Sequence, residues 1–311
     1  MNDYQRPVHR GRAKASNSGF SLIELLVAMV VVALFITGVF SVFVNFLSQS
    51  GEQAALSKRS FDTRLGLRLV RHDLAQAGFG IAKKDLSGAV VGNGTSVTVR
   101  SVAFHGLGSE AGEHGIVQVG GNVSNSLGAA MDSNQPGVVL SPSRDLLETV
   151  QAGNITASDR NLFFATQATG ANSYFVDRTY ALSATKSDDE SCADDAFNLQ
   201  YSDAVASGKI SGIVNCVLDF QVRYGFELTN GGLGFSSDPA APPPSVVDGR
   251  VDVLKVGLLV QAGQEFRNQT VSPATISYSD PDIGGSVDLD AAERHYRWQV
   301  MEWTVPLWNM E

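Results

Sequence analysis

Residues 19–40 read GFSLIELLVAMVVVALFITGVF, an almost unbroken apolar run that holds one carboxylate, Glu24. Glu24 is also the only ionisable residue between Phe20 and Gln49. A helix over residues 20–47 would measure roughly 42 Å at 1.5 Å per residue, which exceeds the roughly 30 Å hydrocarbon core of a bilayer. The run is longer than the ~7–15 apolar residues of a cleaved secretory signal. The sequence therefore predicts a membrane-spanning helix.

The residues before this run are basic. Residues 1–19 carry four cationic side chains against one carboxylate, a net charge of +3, and since the whole chain has −9, the rest carries −12. Because segments rich in Arg and Lys stay in the cytoplasm, we expect residues 1–19 to be cytoplasmic and the chain from about residue 50 to be exported. An acidic body argues against general binding of nucleic acid or of anionic lipid.

A simple membrane anchor explains neither Glu24 nor Gly19. A carboxylate costs about 2.5–3.5 kcal/mol at the middle of a membrane and less near its surface. If the chain is cut between Gly19 and Phe20, the new α-amine of Phe20 lies one helical turn from Glu24, on the same face. The two charges can neutralise each other within one subunit. Alternatively, Glu24 can reach the Phe20 amine of a neighbouring helix, so that a costly buried charge is paired only when subunits pack.

The motif GFSLIE at 19–24, followed by LLVAMVVVALF, resembles the class III signal of type IV pilins and of type II secretion pseudopilins. The resemblance implies that a membrane prepilin peptidase cuts after Gly19 and N-methylates Phe20. It also implies that Glu24 guides docking of the helix into a growing filament. Many major pilins carry a helix-kinking proline about two-thirds along this run, a region where this chain has Gly38 and Ser41.

The helical pattern continues past Gln49 as an amphipathic segment, because apolar residues recur at mostly helical spacings with polar residues between them. The expected apolar face comprises Leu56, Phe61, Leu65, Leu69 or Val70, and Leu74. The polar positions, interpreted as a solvated face rather than a binding stripe, include Arg68, Arg71, His72 and Asp73. We expect Gly78 and Gly80 to end the helix, which would then span about 20–77.

Beyond residue 80 the chain is rich in alternating and β-branched stretches, which favour β-strands. Strands are expected within 95–104, 115–119, 173–182, 213–228, 250–262 and 294–307. The last strand carries apolar residues on both faces and is expected at the centre of the sheet, with the helix covering one side. The Pro-rich stretch 236–245 is predicted to be a surface loop within one sheet. Large loop insertions are expected within 80–170 and 184–212.

Four stretches of the exported part resemble the PilW-type minor pilins, and the first of them also resembles the J-type pseudopilins. They are LRLVRHDLAQAGFG (67–80), QVRYGFEL (221–228), RVDVLKVGLLVQAGQE (250–265) and YRWQVMEWTVPLWNM (296–310). The resemblance implies an α+β, type IV pilin-like fold, in which a long N-terminal helix packs on an antiparallel β-sheet head.

Two cysteines, Cys192 and Cys216, lie far past the apolar run. An even number of cysteines in an exported domain indicates one disulfide, and two buried free thiols are the alternative. The disulfide would close a loop of about 25 residues and contribute roughly 3 kcal/mol.

The sequence contains no Gly-x-Ser-x-Gly elbow, no Walker loop and no His-Glu-x-x-His motif, and His105 and His114 match no compact zinc motif. Two acidic clusters invite comparison with calcium sites, which need six to eight oxygen ligands. They are Asp188, Asp189, Glu190, Asp194 and Asp195, and Asp280, Asp282, Asp288 and Asp290. Both clusters are interpreted as solvated loops. In the second cluster, Pro281 and Gly284 rule out the residue pattern of an EF-hand. No cofactor is expected.

The expected organisation is a cleaved basic leader (1–19), a membrane and filament-core helix (20–48), its amphipathic continuation (49–78) and an exported head (79–311). The resemblance implies a non-enzymatic minor pilin that primes assembly of a type IV pilus and sits at its tip. Its expected partners are the prepilin peptidase, the other minor pilins, the major pilin and the inner-membrane assembly platform. A J-type pseudopilin, or a tip adhesin or DNA-uptake module, are the alternatives. General nucleic-acid binding is not expected.

Overall fold

One long α-helix and fifteen β-strands make up the part of the chain that the computed structural model describes. The described residues are 21–102, 114–117, 123–125, 133–134, 136–155, 161–165, 175–189, 191–203, 210–266 and 269–310. Internal contacts divide the chain into two units, Met1–Ala54 and Ala55–Glu311. The second unit is called the head from here on.

The helix α1 comprises Leu22–Ala75. Within it, Leu22–Val44 is long and apolar enough to cross a membrane, judged by length and composition. The side chains of this stretch are exposed. The Thr37 hydroxyl donates a hydrogen bond to the Ala33 carbonyl, 2.8 Å away, so this polar group is satisfied within the helix itself.

All fifteen described strands lie in the head. In chain order they are β1 (Val90–Asn93), β2 (Ser96–Ser101), β3 (His114–Val117), β4 (Val123–Asn125), β5 (Pro136–Leu140), β6 (Leu146–Gln151), β7 (Leu162–Ala165), β8 (Val176–Lys186), β9 (Phe197–Asp203), β10 (Ile210–Glu227), β11 (Leu233–Ser236), β12 (Val253–Gln261), β13 (Thr275–Ser277), β14 (Ser286–Asp288) and β15 (Trp298–Pro306). Short 3-10 helices occupy Lys83–Gly88, Ala152–Asn154, Glu293–His295 and Trp308–Met310.

The main sheet is antiparallel and has the strand order β1-β2-β8-β9-β10-β12-β15, with β11 paired to β10. Its core packs side chains of α1, such as Val70 and Leu74, against sheet residues such as Val222, Leu254 and Leu258. The expected fold, a long N-terminal helix followed by an antiparallel β-sheet head, is confirmed. Because β10 and β12 pair directly, the Pro-rich stretch 236–245 is a loop within one sheet, as predicted.

A second antiparallel sheet has the order β4-β3-β7-β5-β6 and lies, in sequence, between β2 and β8 of the main sheet. Within the region 80–170 where a loop insertion was expected, the chain therefore forms a five-stranded sheet. This sheet packs on the turn that follows α1: the rings of Phe79 and Phe164 meet edge to face with centroids 5.3 Å apart. Ala82, Val102 and Val138 complete that small core.

The predicted position of the C-terminal strand is wrong. β15 pairs with β12 and lies at one end of the main sheet rather than at its centre. Both faces of β15 are nevertheless covered. Met301 and Trp303 pack against the core beneath α1, and Trp298 packs on the opposite face, beside the disulfide. An apolar pattern on both faces of a strand indicates that both faces are covered by other parts of the protein. It does not indicate whether the strand has a neighbouring strand on both sides.

The predicted apolar face of the head part of α1 is also largely wrong. Phe61, Leu65 and Leu69 are exposed, and the side chain of Leu56 lies outside the described residues. Leu74 is buried as predicted, and so is Val70, the alternative to Leu69. The other residues buried on this part of the helix and in the turn after it are Thr63, Gly66, Asp73 and Ala77. The spacings of three and four among all these buried residues match the 3.6-residue period of an α-helix, whereas the predicted face included steps of five.

The end of α1 is fixed by the C-terminal segment of the chain. Gly78 adopts a φ of +77°, which is readily accessible only to glycine, and a Cβ there would lie 2.7 Å from the carbonyl oxygen of Asn309. The Asn309 side-chain amide donates to the carbonyl of Ala75, the last residue of the helix, at 3.1 Å. Gly80 also has positive φ, so both glycines terminate the helix as predicted.

Candidate functional site

The predicted processing site, Gly19 and Phe20, lies outside the described residues, as does the whole basic leader. Glu24 lies in the first turn of α1. The Glu24 backbone N–H donates to the Ser21 carbonyl at 3.0 Å. A carboxylate in the first turn is favoured by the positive end of the helix dipole.

The residues around Glu24 form an exposed apolar surface. Leu22, Ile23, Leu25 and Leu26 are each more than half exposed, and Glu24 is exposed as well. Large apolar side chains that find no cover within a polypeptide are covered by lipid or by another chain. The segment thus combines an interaction surface with a single carboxylate at its N-terminal end.

The helix segment in the head is held by a buried ionic group. Asp73 is 5% exposed and accepts hydrogen bonds from the Arg178 guanidinium, at 2.7 Å, and from the Tyr180 hydroxyl. Arg178 also donates to Asp203 at 3.2 Å. Asp73 was predicted to lie on the solvated face, and that prediction is wrong. This group joins α1 to β8 and β9.

The charges of this group are mutually dependent. Burial raises the pKa of Tyr180 far above its usual range, and the Asp73 carboxylate raises it further, so the phenol stays protonated. Burial lowers the pKa of Arg178, but the hydrogen bond to Asp73 and the neighbouring charges outweigh burial and raise it on balance. Removing one partner of such a group leaves an uncompensated buried charge, at a cost of about 3–5 kcal/mol.

Close approach of the helix to the sheet requires a glycine. A Cβ at Gly66 would lie 2.5 Å from the backbone oxygen of Ile213 in β10. Backbone cannot move aside as the end of a flexible side chain can, so any larger residue would force the helix away from the sheet. Gly66 therefore allows the helix to lie close enough to the sheet for Asp73 to reach Arg178 and Tyr180.

Two of the grooves beside the head segment of α1 involve its exposed residues Leu65, Leu69, Arg68 and Arg71. The first, of about 580 Å³, is largely apolar and is lined by Leu65, Leu69, Tyr201 and Ile213 among others. The second, of about 450 Å³, runs between the helix and β15 and is lined by Arg64, Leu67, Arg68 and Arg71 on one side and by residues 299–303 on the other. Arg68 and Arg71 are exposed, as predicted.

Comparison with known proteins bears on the N-terminal segment. Residues 14–40 match the family model described as the prokaryotic N-terminal methylation motif. The motif indicates a type IV pilin-like prepilin. No curated protein and no solved structure matches the chain significantly.

The motif implies a substrate of a prepilin peptidase that has pilus assembly partners in general. Together with the apolar N-terminal helix, it fits a membrane-anchored pilin or pseudopilin. A pilin-type motif suggests a structural rather than an enzymatic protein.

The chain contains a disulfide between Cys192 and Cys216, as the even cysteine count indicates. Both residues are buried, and the bond links the loop after β8 to the middle of β10. Arg59 of α1 reaches the same region, where it donates to the Gly263 carbonyl at 3.1 Å and to the Ser191 hydroxyl. The cross-linked loop is therefore also tied to the helix.

Most described carboxylates of the two acidic clusters are exposed, as predicted, but several of them also bind groups of the protein. Asp280 and Asp282 both bind the ammonium group of Lys255, with a distance of 2.8 Å to Asp280. Burial raises the pKa of Asp280, but the hydrogen bonds from Lys255 and from backbone N–H groups outweigh it and hold the pKa below its usual range. These two carboxylates neutralise a lysine of β12.

Carboxylates of Asp195, Asp290 and Glu293 also come together, with oxygen atoms within 4.8 Å of one another. All three are engaged by the protein itself, since the Asp290 carboxylate accepts the Glu293 N–H at 2.7 Å. Asp195 pairs with the Lys186 ammonium group, and Glu293 accepts the Asp290 N–H at 2.7 Å. In the first cluster Asp189 accepts the Ser191 N–H at 3.0 Å. Glu190 and the predicted histidine loop from His105 to Glu113 lie outside the described residues.

Sequence reasoning missed the buried ionic group, Gly66 and the arginine-lined groove. One signal could have indicated the first two. Counting back from Ala77 in helical steps of three and four gives Leu74, Val70 and Gly66, with Asp73 beside Leu74 on the same face. The arginine groove has no such signal, because β15 is brought beside α1 only by the order of the strands.

Proposed function

We propose that this chain is a minor pilin of a bacterial type IV pilus, related to the PilW-type minor pilins. In this proposal the prepilin peptidase removes residues 1–19 and N-methylates Phe20. The observation that carries the proposal is Glu24, the single carboxylate of an otherwise apolar and exposed helical segment, placed in its first turn directly after the Gly19-Phe20 bond.

Glu24 has a physical role in this proposal. While the subunit waits in the inner membrane, its carboxylate near the membrane surface costs part of the roughly 2.5–3.5 kcal/mol of a fully inserted charge. When subunits pack, Glu24 accepts hydrogen bonds from the positively charged Phe20 amine of a neighbour. Since the unpaired charge is unfavourable and the paired charge is not, pairing favours assembly in one axial register over others.

The head supports a position at the pilus tip. The part of the head that follows the helix, residues 79–311, has more than 230 residues and contains two sheets and the β13–β14 hairpin. So bulky a subunit packs poorly along a filament shaft. We therefore propose that residues 79–311 are exported to the periplasm and then to the cell surface, where the subunit joins the other minor pilins above the major pilin. The inner-membrane assembly platform would be its partner during this step.

Substitution of Glu24 tests the proposal. In Glu24→Ala cells, cleavage of the leader should continue while incorporation into sheared pili falls at least tenfold, because the carboxylate acts after processing. Thr37→Val is the matched control: it removes a polar group from the same segment, and that group bonds only within its own helix. Normal incorporation of Glu24→Ala would refute the pairing role.

Gene deletion separates the two pilin classes. A minor pilin of a type IV pilus is required for surface pili and twitching motility, whereas a J-type pseudopilin is required for secretion of exoproteins. We expect deletion to abolish piliation and to leave exoprotein secretion unchanged. The opposite pattern would assign the chain to type II secretion while leaving its processing intact.

A further inference from the structure

The strand β15 ends the main sheet, and no described strand pairs with its outer edge. Two hydrogen bonds fix which backbone groups face outward. The Ala262 N–H donates to the Arg297 carbonyl at 2.7 Å, and the Leu307 N–H donates to the Asp252 carbonyl at 2.9 Å. In an antiparallel pair such bonds recur at every second residue. The odd-numbered residues of β15 therefore bond to β12, and Val300, Glu302 and Thr304 direct their N–H and C=O groups outward.

An edge of this kind is a template for another strand. Natural sheets usually block such edges with charged side chains, prolines, bulges or covering loops. In β15 the proline, Pro306, stands only at the far end of the strand, and the register with β12 runs without a bulge from Val253–Pro306 to Gln261–Trp298. Over residues 299–304 the outward backbone groups keep the regular spacing that strand addition requires.

The groove beside this edge is basic. Arg64, Arg68 and Arg71 follow one another at helical spacing along the wall formed by α1, and all three are exposed. Among the described residues, none of the three forms an ion pair. One carboxylate, Glu302, also lines the groove, but it already accepts the N–H of Asp280 at 2.9 Å. The groove thus presents an excess of positive charge within an acidic protein.

The side chains of an added strand would alternate between the two faces of the sheet. Those opposite Met301 and Trp303 would lie on the face covered by α1, because Met301 and Trp303 themselves pack against the core on that side. Acidic side chains at those alternate positions would therefore face the arginines. Trp303 adds an unsatisfied group on the β15 side of the groove, since its indole N–H is buried and lacks a hydrogen-bond partner among the described residues.

We propose that the outer edge of β15 binds an extended acidic segment of another polypeptide, which adds to the main sheet as a strand and pairs alternate carboxylates with Arg64, Arg68 and Arg71. A second copy of this chain fits less well, because its own β15 offers a single carboxylate, Glu302. The docking involves only the head and does not depend on processing at Gly19.

The test measures binding of a synthetic probe to the full-length protein in non-ionic detergent. The probe is a fluorescein-labelled octapeptide of alternating Val and Glu, followed by fluorescence polarisation. A Val-Lys octapeptide has the same strand propensity and the opposite charge, and a Pro-Glu octapeptide has the acidic charge but lacks alternate N–H groups. We expect the Val-Glu peptide to bind at least 30-fold more tightly than either control, with affinity falling as salt is added.

Two measurements locate the site. The double variant Arg64→Glu/Arg71→Glu should weaken binding of the Val-Glu peptide at least tenfold, whereas Lys83→Glu/Lys84→Glu, which reverses two exposed charges elsewhere on the head, should change it less than twofold. Amide hydrogen exchange of Val300, Glu302 and Thr304 should slow at least fivefold when the peptide is bound. Equal binding of the Pro-Glu peptide, equal loss in both double variants, or unchanged exchange of the three amides would each overturn the proposal.

Discussion

The burial of apolar side chains differs between two segments of the helix α1. In 22–44 every residue is exposed, whatever its position around the helix. In 61–77 burial follows a strict register in which Val70 and Leu74 are buried, while Leu65 and Leu69, of similar hydrophobicity, are exposed. Hydrophobicity alone therefore does not identify the buried face. In the head the register is set by two specific contacts, Gly66 against β10 and Asp73 against β8.

The difference also separates two kinds of assembly. The first segment is apolar apart from Glu24, Thr37 and Ser41, so lipid or other helices can cover it at most rotations, and Glu24 is the one charge that distinguishes one rotation or register from another. The second segment is held in one orientation by its own head. Exposed residues on its outer side, including Leu65 and Leu69, are then presented in a fixed place for contact with other subunits.

Loss of Asp73 should have the largest effect on the head. Asp73→Ala leaves the Arg178 guanidinium buried without its closest partner, and we expect a loss of about 3–5 kcal/mol in the free energy of unfolding. Urea unfolding of the full chain in detergent, followed by tryptophan fluorescence, measures it. The control Asp62→Ala removes an exposed carboxylate of the same helix and should change stability by less than about 0.5 kcal/mol. Equal effects would show that the register is not set by Asp73.

The same glycine substitution should have opposite signs in the two segments. Gly66→Ala brings a methyl group against the Ile213 backbone and should cost about 1–3 kcal/mol. A Cβ at Gly38 meets no other atom within 4 Å, so Gly38→Ala should favour the helix by up to about 1 kcal/mol. Urea unfolding measures the first variant, and thermal melting of helical circular dichroism in micelles measures the second. Destabilisation by both would remove the contrast.

Adjacent apolar residues in the head should separate stability from assembly. Val70→Ala should cost about 2 kcal/mol, because it removes fully buried methyl groups and leaves a cavity. Leu69→Ala should cost less than about 0.5 kcal/mol and instead reduce incorporation into sheared pili. Unfolding curves and quantitative immunoblots of pili measure the two effects. A stability loss of similar size in both variants would contradict the observed register.

The smallest effect concerns acid stability. Since the pKa of Asp280 is held below its usual range in the folded state, its stabilising effect is present above the unfolded pKa of about 3.9 and is lost as pH falls through the folded pKa. Asp280→Asn should therefore be less stable than the unsubstituted protein near pH 7, by under about 1 kcal/mol. The difference should vanish toward pH 2. A difference that persists at pH 2 would assign the effect to shape rather than charge.

The sequence predicts local features well. Short stretches of sequence were enough to predict the apolar helix, the strands β10 and β12 from their alternation, and the end of α1 from its two glycines. The sequence predicts poorly what depends on distant residues. The sequence around Lys255 does not indicate that Asp280 and Asp282 bind it. The sequence of 294–307 fits a central strand and an edge strand covered on both faces equally well. In the five-stranded second sheet only β3 was predicted, within 115–119, because the strands of this sheet are only three to six residues long.

The residues of the proposed sites also differ in how well the sequence predicts them. Glu24 stands out in the sequence, because one charge in a long apolar run has a cost that function must explain. Arg64, Arg68 and Arg71 do not stand out, since charged residues on an amphipathic helix are usually solvated. Their interest arises only from the strand edge beside them, which is a product of the fold.

The most direct test of the pilin assignment is mass spectrometry of the N-terminus of the protein isolated from its own cells. Our account predicts a mature chain that begins at Phe20 and carries one added methyl group on its α-amine. A Glu24→Ala variant should show the same mature N-terminus. A chain that retains residues 1–19 would contradict the account, because Glu24 would then lack the amine with which we propose it pairs.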